Sequence, residues 1–173
     1  MKTNLVFIGM TGSGKTSFGK KLSQKLGLSF IDTDEVIEKT TYQSIPELFE
    51  IGEAHFRMIE SDTCRRVASE TTHSIISCGG GVVLKKENIQ ALKKTGWIVF
   101  IDRPVDNIVE DIRVDHRPLL KDGTDKLYQL YDERIELYRS AADFVVKNDS
   151  SEAYVLKTIE QNLPETIKKG VSK

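Results

Sequence analysis

The stretch Asn4-Leu5-Val6-Phe7-Ile8-Gly9-Met10-Thr11-Gly12-Ser13-Gly14-Lys15-Thr16 decides the reading of this chain. Leu5, Val6, Phe7 and Ile8 follow one another without a polar break, which suits a strand covered on both faces of a parallel sheet. Residues 9–16 then match G-x-x-x-x-G-K-[ST], and an amphipathic pattern over 15–26 opens directly behind them. The pattern alone can arise by chance, and the strand before it and the helix after it give it meaning. Gly12 and Gly14, with Ser13 between them, permit a backbone whose N–H groups turn inward toward phosphate oxygens. The helix adds its positive N-terminal end, where Ser17 also belongs to the nucleotide-binding set. Lys15 supplies a point charge near the β- and γ-phosphates, and the Thr16 hydroxyl is a ligand for Mg²⁺. A glycine turn that serves only strand-to-helix packing is the plainer alternative. The context favours binding of ATP or GTP.

Outward from this loop, short apolar runs at 28–31, 74–77, 97–101 and 144–146 read as further strands. Helical patterns at 15–26, 45–49, 54–69, 86–94, 105–112, 126–138 and 152–163 alternate with them. That alternation predicts an α/β three-layer sandwich with a five-stranded parallel sheet and right-handed crossovers. Two connections exceed a simple crossover. Residues 32–73 insert extra helices, with 32–61 the expected substrate-binding region, and 113–125 is polar with Pro118 and Gly123, the expected lid.

The 173 residues carry 25 Lys+Arg against 26 Asp+Glu, a formal net charge of −1. Near-neutrality argues against a non-specific nucleic-acid coat, which needs a basic excess. No run of about 18 apolar residues is present, so no membrane span is expected. The first residues run into the loop glycines without the apolar region and cleavage site of a signal peptide. Cys64 and Cys78 lack both the density of a disulfide scaffold and the spacing of a zinc site. A single-domain, monomeric enzyme of the reducing cytoplasm is the expectation.

A guanine-reading switch is disfavoured, because 147–149 only superficially matches N-K-x-D and no D-x-x-G segment precedes a water-positioning Gln. The size and two insertions favour a small-molecule kinase. Asp32-Thr33-Asp34 ends the second strand, at the edge where parallel sheets bind ligands. Asp32 is suited to hold Mg²⁺ through water, and Asp34 to accept a hydrogen bond from an acceptor hydroxyl and take its proton. The alternative makes Asp34 an N-cap for a helix over 35–39. Arg57 and Glu60 share a helix face, either as a plain surface pair or with Glu60 aiming Arg57 at a carboxylate. Gly79, Gly80 and Gly81 let backbone approach a ligand where side chains would intrude, unless they form only a flexible turn. Arg117, before Pro118, is either a solvated charge or a lid arginine that stabilises the transferring phosphoryl group. Arg134 precedes Tyr138 by four residues on one helix face.

In order and spacing, the loop at 9–16, D-T-D at 32–34, F-R-x-x-E at 56–60, G-G-G at 79–81, R-P-L-L at 117–120 and R-x-x-L-Y at 134–138 resemble the shikimate kinases. The likeness covers nearly the whole chain and implies a P-loop kinase fold with a substrate-binding insertion and a lid. It implies transfer of phosphate from MgATP to the 3-hydroxyl of shikimate, on the route to chorismate and the aromatic amino acids. By the resemblance Asp34 binds hydroxyls, Arg57 and Arg134 grip the carboxylate, and the backbone of Gly79, Gly80 and Gly81 lines the same pocket. Arg117 closes on ATP, while Arg113 and the 148–151 turn with Ser151 border the adenine. Glu136 stands where the family often has proline, and the helix direction should send it away from the pocket. The segment before Arg117 is also short. A gluconate kinase should lack F-R-x-x-E and the triple glycine in this arrangement. A silent nucleotide-binding module, the reading from another class, has no need of Lys15, Asp34 and Arg117.

Overall fold

The structure, a computed structural model, describes residues 1–114 and 123–168. Along the chain run β1 (Asn4–Ile8), α1 (Lys15–Leu26), β2 (Ser29–Asp32), α2 (Thr33–Thr41), α3 (Ile45–Ile51), α4 (Glu53–Glu70) and β3 (Ser74–Ser77). There follow α5 (Lys86–Thr95), β4 (Gly96–Asp102), α6 (Val105–Val114), α7 (Asp125–Ala141), β5 (Phe144–Lys147), α8 (Glu152–Asn162) and α9 (Glu165–Lys168). The strands form one parallel sheet in the order β2-β3-β1-β4-β5.

Side chains alternate between the two faces of each strand, so the sheet feeds two cores. Val6, Ile8, Ile76, Ile98 and Phe100 pack with Cys64 of α4, Leu92 of α5 and Tyr138 of α7. Leu5, Phe7, Ile75, Val99 and Ile101 pack on the other side with Phe18 and Leu22 of α1 and Val155 and Ile159 of α8. Helices therefore cover both faces, the three-layer arrangement expected. A small separate cluster of Ile37, Leu48 and Phe56 ties α2, α3 and α4 into the insertion after β2.

The boundaries depart from the sequence reading in ways that matter for chemistry. Asp32, not Asp34, caps α2: its Oδ1 accepts from the N–H of Asp34 at 2.9 Å and of Glu35 at 3.3 Å. The helix starts directly at the strand end, so Asp34 lies in its first turn, free of capping duty. β4 is longer than expected at both ends, because Asn4 pairs with Gly96 and Asp102 with Lys147. Residues 113 and 114, expected in the lid, continue α6. The remaining lid segment, including Arg117, falls outside the described residues up to Gly123.

Asn4 knots the opposite end of the sheet. It is fully buried, and its Nδ2 donates to the Thr71 carbonyl at 3.0 Å and to the Thr95 hydroxyl at 3.3 Å. Its Oδ1 accepts from the Ser74 N–H at 3.1 Å. Asn4→Ala strands these buried groups and is expected to lower the unfolding free energy by about 2–4 kcal/mol in urea titration, because each unpaired group keeps its desolvation cost.

Candidate active site

At the carboxyl end of β1 the chain turns through a loop that only glycine accommodates at its exit. Gly14 has φ 107, in the left-handed region, and forms the N-terminal boundary of α1. Lys15 then folds back under the loop, its ammonium donating to the carbonyls of Gly9 at 2.8 Å and Met10 at 2.7 Å. Burial pulls its pKa down to about 8, against the attraction of Cys78, Asp34 and Asp32. The Thr16 hydroxyl donates to Asp32 Oδ2 at 3.1 Å. Gly12, Ser13, Gly14, Lys15, Thr16 and Ser17 all line a cleft of about 460 Å³, closed on its far side by α6 and α7.

A second cavity of about 210 Å³ adjoins it, lined by Asp34, Arg57, Glu60, the three glycines and Arg134. Arg57 is buried and its Nη1 donates to Glu60 Oε1 at 2.8 Å, the aiming contact that the i,i+3 spacing allowed. Its guanidinium also lies 5.6 Å and 5.2 Å from the rings of Phe49 and Phe56, which stack on each other. The glycines line this cavity and also serve a purpose that the sequence did not show. A methyl on Gly81 would run into the Arg57 guanidinium, and one on Gly79 would lie 2.9 Å from Asp34 Oδ1. They make room for the protein's own charged side chains at least as much as for a ligand. The Gly80 carbonyl accepts from the Tyr138 hydroxyl, which anchors α7 one turn beyond Arg134.

Three atoms of the residues that line this cavity stand out. Asp34 Oδ1, Arg57 Nε and Arg134 Nε are buried and have no hydrogen-bond partner among the described residues, and Arg57 Nε has only a 3.5 Å ion-pair contact with Glu53. Buried polar groups are normally paired, so an acceptor and two donors left open on residues around one cavity are an invitation to a ligand that carries both kinds of partner. Burial pushes the Asp34 carboxyl up to about 6, with Asp32 and Glu60 adding to the effect and Lys15 opposing it. Glu60 is raised by burial too, although Arg57 counters this. Cys64 is pushed up to about 12 by burial and Cys78 rises for the same reason, which fits inert thiols. Thr11 and Arg134 line both cavities, which places them at the junction.

The remaining residues singled out in the sequence lie on the following elements. Ser151 caps α8, its Oγ accepting from the Tyr154 N–H at 3.2 Å, and it lines neither cavity. Arg113 belongs to the last turn of α6. Glu136 points into solvent and pairs with Arg139 at 2.7 Å, away from the cavity. Arg103 went unnoticed as a contributor, and Asn148, expected only in the turn bordering the adenine, also touches the phosphate loop. Arg103 donates to the Gly12 carbonyl at 2.8 Å and pairs with Asp111 at 2.7 Å, and Asn148 donates to the Ser13 carbonyl at 2.9 Å. Their signal was position alone, each directly following a strand at the ligand-binding edge.

A phosphate loop beside a small cavity with a buried carboxylate and two arginines defines a P-loop kinase of small anionic molecules. The sequence model of the family described as Shikimate kinase matches residues 11–164. A shikimate kinase of Clostridium beijerinckii is 48% identical over 161 residues, covering 93% of this chain and 95% of its own length. The Acinetobacter baumannii shikimate kinase solved in complex with shikimate superposes with a TM-score of 0.84 at 31% identity, covering 93% of this chain and 92% of that one. The Aquifex aeolicus shikimate kinase gives a TM-score of 0.77 at 36% identity, over 91% and 94% of the two chains. The chain belongs to the shikimate kinase family. It is an ATP-dependent kinase of the family that phosphorylates shikimate in aromatic amino-acid biosynthesis. Among the described residues no helix is long and apolar enough to cross a membrane.

The raised Asp34 carboxyl carries a stability consequence. A carboxyl whose folded pKa exceeds its unfolded value adds stability below the unfolded pKa and loses it as pH rises through the folded one, here about 6. Asp34→Asn removes that loss, so at pH 8 it is expected to unfold with about 1–3 kcal/mol more free energy than the native chain. At pH 4 the difference should shrink, as denaturant titrations at the two pH values will read.

Proposed function

We propose that this chain transfers the γ-phosphate of ATP to the 3-hydroxyl of shikimate, giving shikimate 3-phosphate and ADP. The observation that carries the reading is that Asp34, Arg57 and Arg134, which line one cavity beside the phosphate loop, each keep a buried polar atom without a hydrogen-bond partner. Shikimate brings a carboxylate and several hydroxyls, which is the complement of that cavity. Arg57, held by Glu60, and Arg134 bind the carboxylate with charge-assisted hydrogen bonds. Asp34 accepts a hydrogen bond from the attacking hydroxyl and, as a base, takes its proton while phosphoryl transfer proceeds. Lys15 exchanges its loop carbonyls for the β- and γ-phosphates, and Arg117 adds a second cation from the lid. Arg113 and Ser151 complete the nucleotide set.

Mg²⁺ accompanies ATP in this reading. Thr16 and Asp32 offer the hard oxygen donors it prefers, and their side chains already face each other at 3.1 Å. Bound there, the ion neutralises phosphate charge. Among the described residues no group of three or more His, Cys, Asp and Glu gathers elsewhere as a metal site. The chemistry otherwise rests on positioning: the two cavities meet at Thr11 and Arg134, so an acceptor hydroxyl and a γ-phosphate come together with little further motion. We further read the chain as one kinase domain, 32–61 binding the acceptor and 113–125 forming the lid, active as a monomer in the cytoplasm.

Coupled ADP release with shikimate, with gluconate and with no acceptor tests the reading. Turnover is expected only with shikimate, and ADP release indifferent to shikimate contradicts it. Arg57→Ala should raise the shikimate KM by about 10- to 100-fold, the loss of a charged hydrogen bond, with the ATP KM nearly unchanged. Lys15→Ala should abolish transfer.

The pH profile follows from two opposed groups. Asp34 must be ionised, which fails as pH falls through about 6, and Lys15 must be protonated, which fails as pH rises through about 8. The profile of kcat/KM in the free enzyme is therefore expected to be a bell between those limits. Asp34→Asn should leave little rate to profile.

A further inference from the structure

Two side chains grip the phosphate loop from outside, at consecutive carbonyls. Arg103, directly after β4, donates Nη1 to the Gly12 oxygen at 2.8 Å, and Asn148, directly after β5, donates Nδ2 to the Ser13 oxygen at 2.9 Å. Each is itself held. Arg103 pairs with Asp111 of α6 at 2.7 Å, and the Asn148 N–H donates to the Asp102 carbonyl at 2.8 Å. A loop that turns its N–H groups inward onto phosphate must turn its carbonyls outward. The peptide is planar, so fixing a carbonyl fixes the N–H of the next residue. The Gly12 carbonyl thus sets the Ser13 N–H, which closes the inner turn on the Met10 oxygen at 3.1 Å. The Ser13 carbonyl sets the N–H of Gly14, the residue that opens α1.

We infer that Arg103 and Asn148 are positioning residues for the nucleotide: they hold the Gly12–Ser13 and Ser13–Gly14 peptide planes in the orientation that receives a polyphosphate. Preorganised dipoles spare the reorganisation that a slack glycine loop would undergo on binding. Arg103 is also among the residues that line the nucleotide cavity, so its charge acts near the same ligand. Asp111 orients Arg103 from the helix that leads away from the site. The inference rests on the proposed reading of this cleft as the ATP site.

The test is MgADP affinity by calorimetry, together with separate KM values for ATP and shikimate. Arg103→Ala and Asn148→Ala are each expected to weaken MgADP about tenfold and to raise the ATP KM in parallel, with the shikimate KM within about twofold. Arg103→Lys should recover part of the loss, since an ammonium can still donate to the Gly12 carbonyl. Asp111→Asn should weaken MgADP less, and adding it to Arg103→Ala should cost nothing more, because its effect acts through Arg103. If Arg103→Ala does not fold, Arg103→Gln replaces it, with a smaller loss expected in the same direction. Unchanged MgADP affinity in the Arg103 and Asn148 variants overturns the inference, as does an equal fall in both substrates' affinity. A wild-type protein that binds MgADP but does not phosphorylate shikimate overturns the proposed function and leaves this inference standing.

Discussion

The whole arrangement depends on β1 lying between β3 and β4 in a parallel sheet. Every residue of β1 is buried, and it pairs along its length with β4 and through Leu5, Val6 and Phe7 with β3. Parallel pairing points all the strand ends the same way, so the chemistry-bearing loops emerge on one edge. From β1 comes the phosphate loop, from β2 Asp32 and Asp34, from β3 the three glycines, and from β4 Arg103. The loops are short and their roots are fixed by a packed sheet, which is what holds charged groups to within a hydrogen bond of their targets.

That edge concentrates charge in a chain whose formal total is −1. Lys15, Arg57 and Glu60 are buried, and Asp34 is half-buried beside them. Burying ions is costly unless they are paired, and here most pairings are made within the site. Lys15 binds loop carbonyls, Arg57 binds Glu60, and Asp32 divides its carboxylate between the Thr16 hydroxyl and the start of α2. The exceptions, Asp34 Oδ1, Arg57 Nε and Arg134 Nε, belong to the residues that the acceptor is proposed to engage. Stability is given up at the positions where a ligand restores it.

The sequence made much of this legible, because the informative features were local. A glycine loop between a strand and a helix, D-T-D at a strand end, and Arg57 three residues before Glu60 each imply their geometry without reference to distant parts of the chain. Elements needing knowledge of neighbours were harder to read. Arg103 and Asn148 reach the phosphate loop only because β4 lies next to β1 and β5 next to β4, and no spacing in the chain reports that order. The triple glycine was legible as close approach, but not as room for Arg57 and Asp34. The capping role passed from Asp34 to Asp32 through a shift of two residues at one helix start, too fine for pattern reading. Glu136 behaved as the helix direction implied, turning to Arg139.

The central claim is that the two adjoining cavities bring shikimate and ATP together for transfer to one hydroxyl. Phosphorus and proton NMR of the reaction mixture addresses this directly, since it identifies the product rather than the consumption of ATP. The account predicts one phosphomonoester signal, appearing in step with ADP and coupled to the proton on carbon 3 of shikimate. ADP accompanied only by inorganic phosphate, or an ester on a different hydroxyl, would contradict it.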